Sequence, residues 1–128
     1  MKTILICDDD QFIMQAAKSA LMQKGYNVST LETCDLLVEK VERMQPDLIL
    51  MDLLIPPMGG DNSIKLLKNN LKTKHIPILL FSGDQDIEKI TSEIEANGFI
   101  KKPFNIEEFG ENIENAITSN GVIPKIVE

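Results

Sequence analysis

The chain has few of the residues that mark metal centres, secreted scaffolds or membrane spans. It carries two cysteines, Cys7 and Cys34, and one histidine, His75, among 128 residues. The cysteines have no metal-ligand spacing and are too few for a disulfide framework. Both are expected as reduced thiols, with Cys7 buried in the first strand. His75 stands alone before Pro77 and reads as an exposed loop residue. No segment approaches the roughly 18 apolar residues of a membrane span. The opening MKTILICDDD stops its short apolar run with three acids, unlike the core of a signal peptide. Cations are scarce too: 13 Lys and Arg against 20 Asp and Glu leave a net charge of −7. That balance argues against a nucleic-acid surface and against an anionic membrane. A cytoplasmic protein is expected.

What remains is globular composition, 43% hydrophobic and 26% charged, at a length that suits one domain. Strand-like and helix-like stretches alternate along it. Apolar runs of strand type fall at 3–7, 48–51, 78–81 and 99–101, and residues 26–31 alternate with period two. Between them, apolar residues recur at helical spacing. The first helix has Ile13, Ala16, Ala17, Ala20 and Leu21, with Gly25 as a stop, and the second has Leu37, Val38, Val41 and Met44, ending before Pro46. Ile64, Leu67 and Leu71 mark a third helix. Ile87, Ile90, Thr91 and Ile94 mark a fourth, closed by Asn97-Gly98. Asn105 and Glu108 form a capping-box signature for a last helix facing inward with Ile106, Phe109, Ile113 and Ile117. Its acids Glu107, Glu108, Glu111 and Glu114 read as an exposed face.

Five strand-helix units with near-continuous apolar central strands predict an α/β fold, a doubly wound parallel sheet with helices on both faces. Right-handed crossovers put the carboxyl ends of all strands on one edge, where sites form in such sheets. The first strand delivers Asp8, Asp9 and Asp10 to that edge. The stretch LILMDLLIPPMGG delivers Asp52, the fourth strand Ser82-Gly83, and the fifth Lys102-Pro103. Carboxylates about 4 Å apart repel by roughly 4 kcal/mol per pair at an effective dielectric near 20, so a cation is expected among them. Oxygen ligands with open positions suit Mg²⁺ (or Mn²⁺), and Lys102 adds a second positive charge. Such a set could neutralise a transferring phosphoryl group while a carboxylate attacks in line. Ser82 could donate to one of its oxygens.

The motifs ILICDDD, LILMDLLIPPMGG, ILLFSGD and GFIKKPF together make the chain resemble the response-regulator receiver domains of two-component signalling, from residue 2 to about residue 119. The resemblance implies a flavodoxin-like strand order of 2-1-3-4-5. It implies a receiver over residues 1–120, with 121–128 a C-terminal tail or the start of a linker. Asp52 would be the phosphoacceptor, taking a phosphoryl group from a sensor histidine kinase or histidine phosphotransfer domain. Asp9, Asp52 and the backbone carbonyl of Leu54 would ligate Mg²⁺, with Asp8 acting through water. Lys102 would contact Asp52 and then the phosphoryl group, and its bond to Pro103 would be cis. Ser82 and Phe99 would be the switch residues. Gly83 would leave room for a phosphodonor, and the side chains of Leu54 and Asp84 would flank the site and tune acyl-phosphate lifetime. Such a chain would not be a conventional enzyme. It would signal to a downstream protein or output domain through the face made by helix 4, strand 5 and helix 5.

Departures from the family pattern lie at Pro57, at Gly59 before Gly60, at Asn97-Gly98, and at Phe99 in place of a tyrosine. Three other readings compete. A haloacid-dehalogenase-type phosphatase would use Asp8 as nucleophile and Asp10 as general acid, but would leave Asp52 unexplained. A pseudo-receiver would bind without being phosphorylated. A flavin-binding relative would need a hydroxyl- and glycine-rich phosphate loop after the first strand, where this chain has acids. A stand-alone receiver is expected, the alternative being a segment of a longer chain.

Overall fold

The computed structural model describes residues 1–102 and 104–118. Five strands alternate with five helices: β1 (Thr3–Cys7), α1 (Gln11–Gln23), β2 (Asn27–Leu31), α2 (Leu37–Met44), β3 (Leu48–Asp52), α3 (Gly60–Lys68), β4 (Ile78–Ser82), α4 (Ile87–Glu93), β5 (Gly98–Lys101) and α5 (Ile106–Thr118). The strands form one parallel sheet in the order β2-β1-β3-β4-β5.

The period of two along each central strand divides the core between the faces. Ile4, Ile6, Leu48, Leu50, Leu79 and Phe81 join α1 and α5 through Leu21, Phe109 and Ile113. Leu5, Cys7, Ile49, Met51, Ile78 and Leu80 join α2, α3 and α4 through Val41, Leu67 and Ile87. Every residue of β3 and β4 is buried. A fully buried Leu or Ile contributes about 1.5–3 kcal/mol, so these two strands are the least movable part of the sheet. Cys7 and Cys34 are buried free thiols, and burial pushes the Cys7 thiol far up, which keeps it inert. His75 is exposed, as are Glu107, Glu108, Glu111 and Glu114.

The structure corrects the sequence expectations at several ends. Leu71 lies beyond α3 and is exposed, because α3 stops at Lys68 and the chain turns to reach β4. Asn97-Gly98 does not close α4. That helix ends at Glu93, Gly98 opens β5, and the Asn97 Oδ1 accepts from the Ile78 N–H at 2.8 Å and from Lys68 Nζ at 2.9 Å. Ile106 faces solvent at 58% exposure, whereas Phe109, Ile113 and Ala116 are buried and Ile117 partly so. Asn105 caps α5, its side-chain oxygen accepting from the N–H groups of Glu107 and Glu108. The Lys102–Pro103 bond and the boundary near residue 120 lie outside the described residues. A cis bond is present between Pro56 and Pro57.

Candidate functional site

Parallel pairing sets the ends of β1, β3, β4 and β5 side by side. Asp52 lies opposite Phe81, and Ser82 lies opposite Lys101. The Lys102 N–H then donates to the Ser82 carbonyl at 2.9 Å, which carries the lysine onto the same edge. Asp8 follows β1, its own N–H bonded to the Leu31 carbonyl at 3.0 Å, and its Oδ1 accepts from the Asp10 N–H. The structure thus brings Asp8, Asp9, Asp52 and Lys102 together. One carboxylate oxygen from each aspartate lies within 4.8 Å of the others. Lys102 Nζ stands 2.8 Å from Asp8 and 3.5 Å from Asp52.

The charge does not balance. Three carboxylates meet one ammonium, and the Asp8 and Asp52 side chains are only 0% and 9% exposed. At this spacing each like-charge pair is worth roughly 3–4 kcal/mol of repulsion at an effective dielectric near 20. Burial pushes the Asp52 carboxyl above its usual range. Lys102 opposes that shift, Asp8 adds to it, and the Leu54 N–H lowers it by donating to the carboxylate. A hard divalent cation would supply the missing charge, and the all-oxygen donor set, with Asp9 exposed, is of the kind that fits Mg²⁺.

The Asp52 strand end is shaped by the loop after it. Gly59 has φ +87°, a conformation strained for any residue with a side chain, and Gly60 lies so close to the strand that an added Cβ would meet the Asp52 carbonyl at 2.5 Å. The Gly60 N–H donates to the Leu53 carbonyl and the Gly59 N–H to the Ile55 carbonyl, each at 2.7 Å. Cys34 braces the loop from the other side. Its N–H donates to the Pro56 carbonyl at 2.8 Å, its thiol donates to the same oxygen at 3.2 Å, and its sulfur accepts from the Met58 N–H. Gly59 therefore has a backbone reason that the sequence reading lacked. For Pro57 no explanation emerges beyond its place in this turn.

Of the other predicted site residues, Leu54 follows β3 and Ser82, Gly83 and Asp84 lie at the end of β4, whereas Phe99 lies within β5. Ser82 is buried, and its Oγ accepts from the Asp84 N–H at 3.1 Å. Gly83 and Asp84 are exposed, and the Asp84 carboxylate accepts from the Asp86 N–H. Leu54 is 79% exposed, at the mouth of the cluster. Phe99 is half-buried against the α2–α4 face. Asp10 is spent as the N-cap of α1, its Oδ1 accepting from Phe12 and Ile13, so it does not stand as a general acid beside Asp8. One partner was missed: the Phe81 ring lies under Lys102, with Nζ 4.7 Å from its centroid. The signal was there, since period two puts Phe81 on the α1/α5 face at the strand position next to Ser82.

Residues 4–114 match the family model described as the response regulator receiver domain. The chain belongs to the response-regulator receiver family. Among solved structures, the chemotaxis response regulator CheY4 of Vibrio cholerae matches with a TM-score of 0.82 and 28% identity, over 89% of this chain and 97% of that one. The receiver domain of the sensor histidine kinase PA1611 from Pseudomonas aeruginosa, solved with a magnesium ion in its active-site cleft, has a TM-score of 0.83 over 91% of this chain and 98% of that one. At 22% identity that likeness shows the fold alone. The phosphate regulon transcriptional regulatory protein PhoB of Klebsiella pneumoniae is 30% identical over 88% of this chain and 50% of its own length. The receiver thus spans about half the length of such curated relatives, and less of others. Among the described residues no helix is long and apolar enough to cross a membrane.

Proposed function

We propose that this receiver takes a phosphoryl group onto Asp52 from the phosphohistidine of a sensor histidine kinase or histidine phosphotransfer domain. An Asp52 oxygen attacks phosphorus in line, forming the P–O bond of an acyl phosphate as the P–N bond breaks and its electron pair leaves with the imidazole. The observation that carries this reading is the cluster of three carboxylates with one lysine at the sheet edge. Asp9, Asp52 and the Leu54 carbonyl would hold Mg²⁺ (or Mn²⁺), with Asp8 acting through water, and the ion would supply charge neutralisation for the phosphoryl oxygens. Lys102, now paired with Asp8 and Asp52, turns its ammonium to a phosphoryl oxygen. Ser82 donates its hydroxyl to another and draws the loop after β4 with it, and Phe99 packs further inward as that loop moves. Leu54 and Asp84 set the access of water to the acyl phosphate, and Gly83 leaves room for the donor.

The chain catalyses its own phosphorylation and dephosphorylation and turns over no separate substrate. It signals to a downstream protein or output domain through α4, β5 and α5. It acts in the cytoplasm without contacting nucleic acid or membrane itself.

The test is intact-mass measurement after incubation with acetyl phosphate and Mg²⁺. A gain of one phosphoryl group is expected, stable in acid and labile in base, and absent with EDTA or in Asp52→Asn. An undiminished gain in Asp52→Asn, or no gain in the native chain, rejects the assignment.

A further inference from the structure

The geometry points to Phe81 as a positioning residue for Lys102, its ring face seating the ammonium that serves the transferred phosphoryl group. This rests on the phosphoacceptor reading of Asp52 and deepens it. Phe81 is fully buried on β4, directly opposite Asp52 in the parallel register. Its ring cannot drift, because Phe104 and Phe109 pack on it with centroids at 5.4 and 6.0 Å, and those two lie 4.7 Å from each other. Lys102 Nζ stands 4.7 Å from the centroid of Phe81, within the range in which a ring quadrupole attracts a cation.

The role follows from counting donors. An ammonium has three N–H groups and no acceptor. Two of them serve Asp8 and Asp52, at 2.8 and 3.5 Å. A third carboxylate or carbonyl beneath the lysine would hold it equally well but would use the last donor. The ring holds the charge through its electrons and uses none. One N–H is left for a phosphoryl oxygen, and the lysine side chain, only 16% exposed, has a fixed seat on which to turn.

A ring that merely fills space and a ring that attracts the cation respond differently to fluorine. Fluorination changes ring shape little and withdraws the negative charge from its face. The experiment places 4-fluoro-, 3,5-difluoro- and 3,4,5-trifluorophenylalanine at position 81 of the full chain and uses two readouts. Proton NMR locates the Lys102 ε-methylene, assigned by its loss in Lys102→Arg. Its signal should sit upfield of the other lysines through the ring current and return to the ordinary position in Phe81→Leu. The rate of phosphoryl gain from acetyl phosphate with Mg²⁺ should fall stepwise through the series, by about three- to tenfold at the trifluoro ring. An unshifted methylene, or equal rates along the series, overturns the positioning role and leaves the acceptor reading intact. No phosphoryl gain in the unsubstituted chain overturns both.

Discussion

Asp47 and Asp52 stand at opposite ends of one strand, and the same side chain does different work at each. At the amino edge, Asp47 and Thr3 clamp β3 to β1. The Thr3 N–H donates to the Asp47 carboxylate and the Asp47 N–H to the Thr3 carbonyl, both at 2.8 Å, while Lys2 lies 3.8 Å from the other carboxylate oxygen. One carboxylate there meets one backbone donor and one ammonium. At the carboxyl edge, Asp52 shares one lysine with Asp8 and has Asp9 beside it. A charged strand end is therefore not a site in itself. What sets the carboxyl edge apart is fixed negative charge in excess of its protein partners. On the proposed reading, that excess is what a divalent cation would neutralise before a phosphoryl group could approach.

Removing the lysine at each end tests this contrast most strongly. Lys102→Met leaves Asp8, which has no solvent exposure, without a counter-charge. In metal-free buffer this should lower unfolding stability by about 3 kcal/mol in urea titrations, and Mg²⁺ should restore part of the loss. Lys2→Met removes a solvent-exposed ammonium from an open pair, and its effect should stay under about 0.5 kcal/mol. Equal losses at the two ends would break the comparison. The next largest effect comes from Gly60→Ala, where the new Cβ would press on the Asp52 backbone carbonyl. A loss of about 1–3 kcal/mol is expected, with slower phosphoryl gain because the strand end must shift.

Much of this contrast was legible in the sequence. Period two and the apolar runs of β3 and β4 dictate a buried sheet, and parallel order alone carries Asp8, Asp52, Ser82 and Lys102 to one edge. The misses share a cause, for each depends on a contact distant in sequence. Asn97 looks like a helix stop until β4 supplies the Ile78 N–H that its side chain accepts. Ile106 and Leu71 fit a helical period but lie where no neighbour covers them. Cys34 reads as a reduced thiol and Phe81 as a strand residue; period two gives Phe81 its face, but the fold brings the Pro56 carbonyl to the one and Lys102 to the other.

A subtler test follows from the acid-base behaviour of Asp52. Its carboxyl is pushed above the ordinary 3.8 by burial in the folded chain, so between that value and the raised one the folded state holds more protons than the unfolded state. Stability in metal-free buffer should therefore fall as pH rises through this window and level off above it. Asp52→Asn should remove that part of the slope, seen as a flatter dependence of the urea midpoint on pH. Saturating Mg²⁺ should oppose it by favouring the ionised form. A slope unchanged in Asp52→Asn would mean that the carboxylate is already neutralised within the protein.

The smallest effect belongs to Asp47→Asn, the same substitution made at the other end of the strand. The amide keeps an oxygen that can accept from the Thr3 N–H, and the loss is confined to an attraction to an exposed lysine. Stability should change by less than about 0.5 kcal/mol. Phosphoryl gain and the stabilisation by Mg²⁺ should both match the native chain, because nothing at the amino edge holds the excess charge on which they depend. If Asp47→Asn instead weakened Mg²⁺ stabilisation as Asp52→Asn does, the excess charge would have to be credited to the chain as a whole rather than to one edge of its sheet.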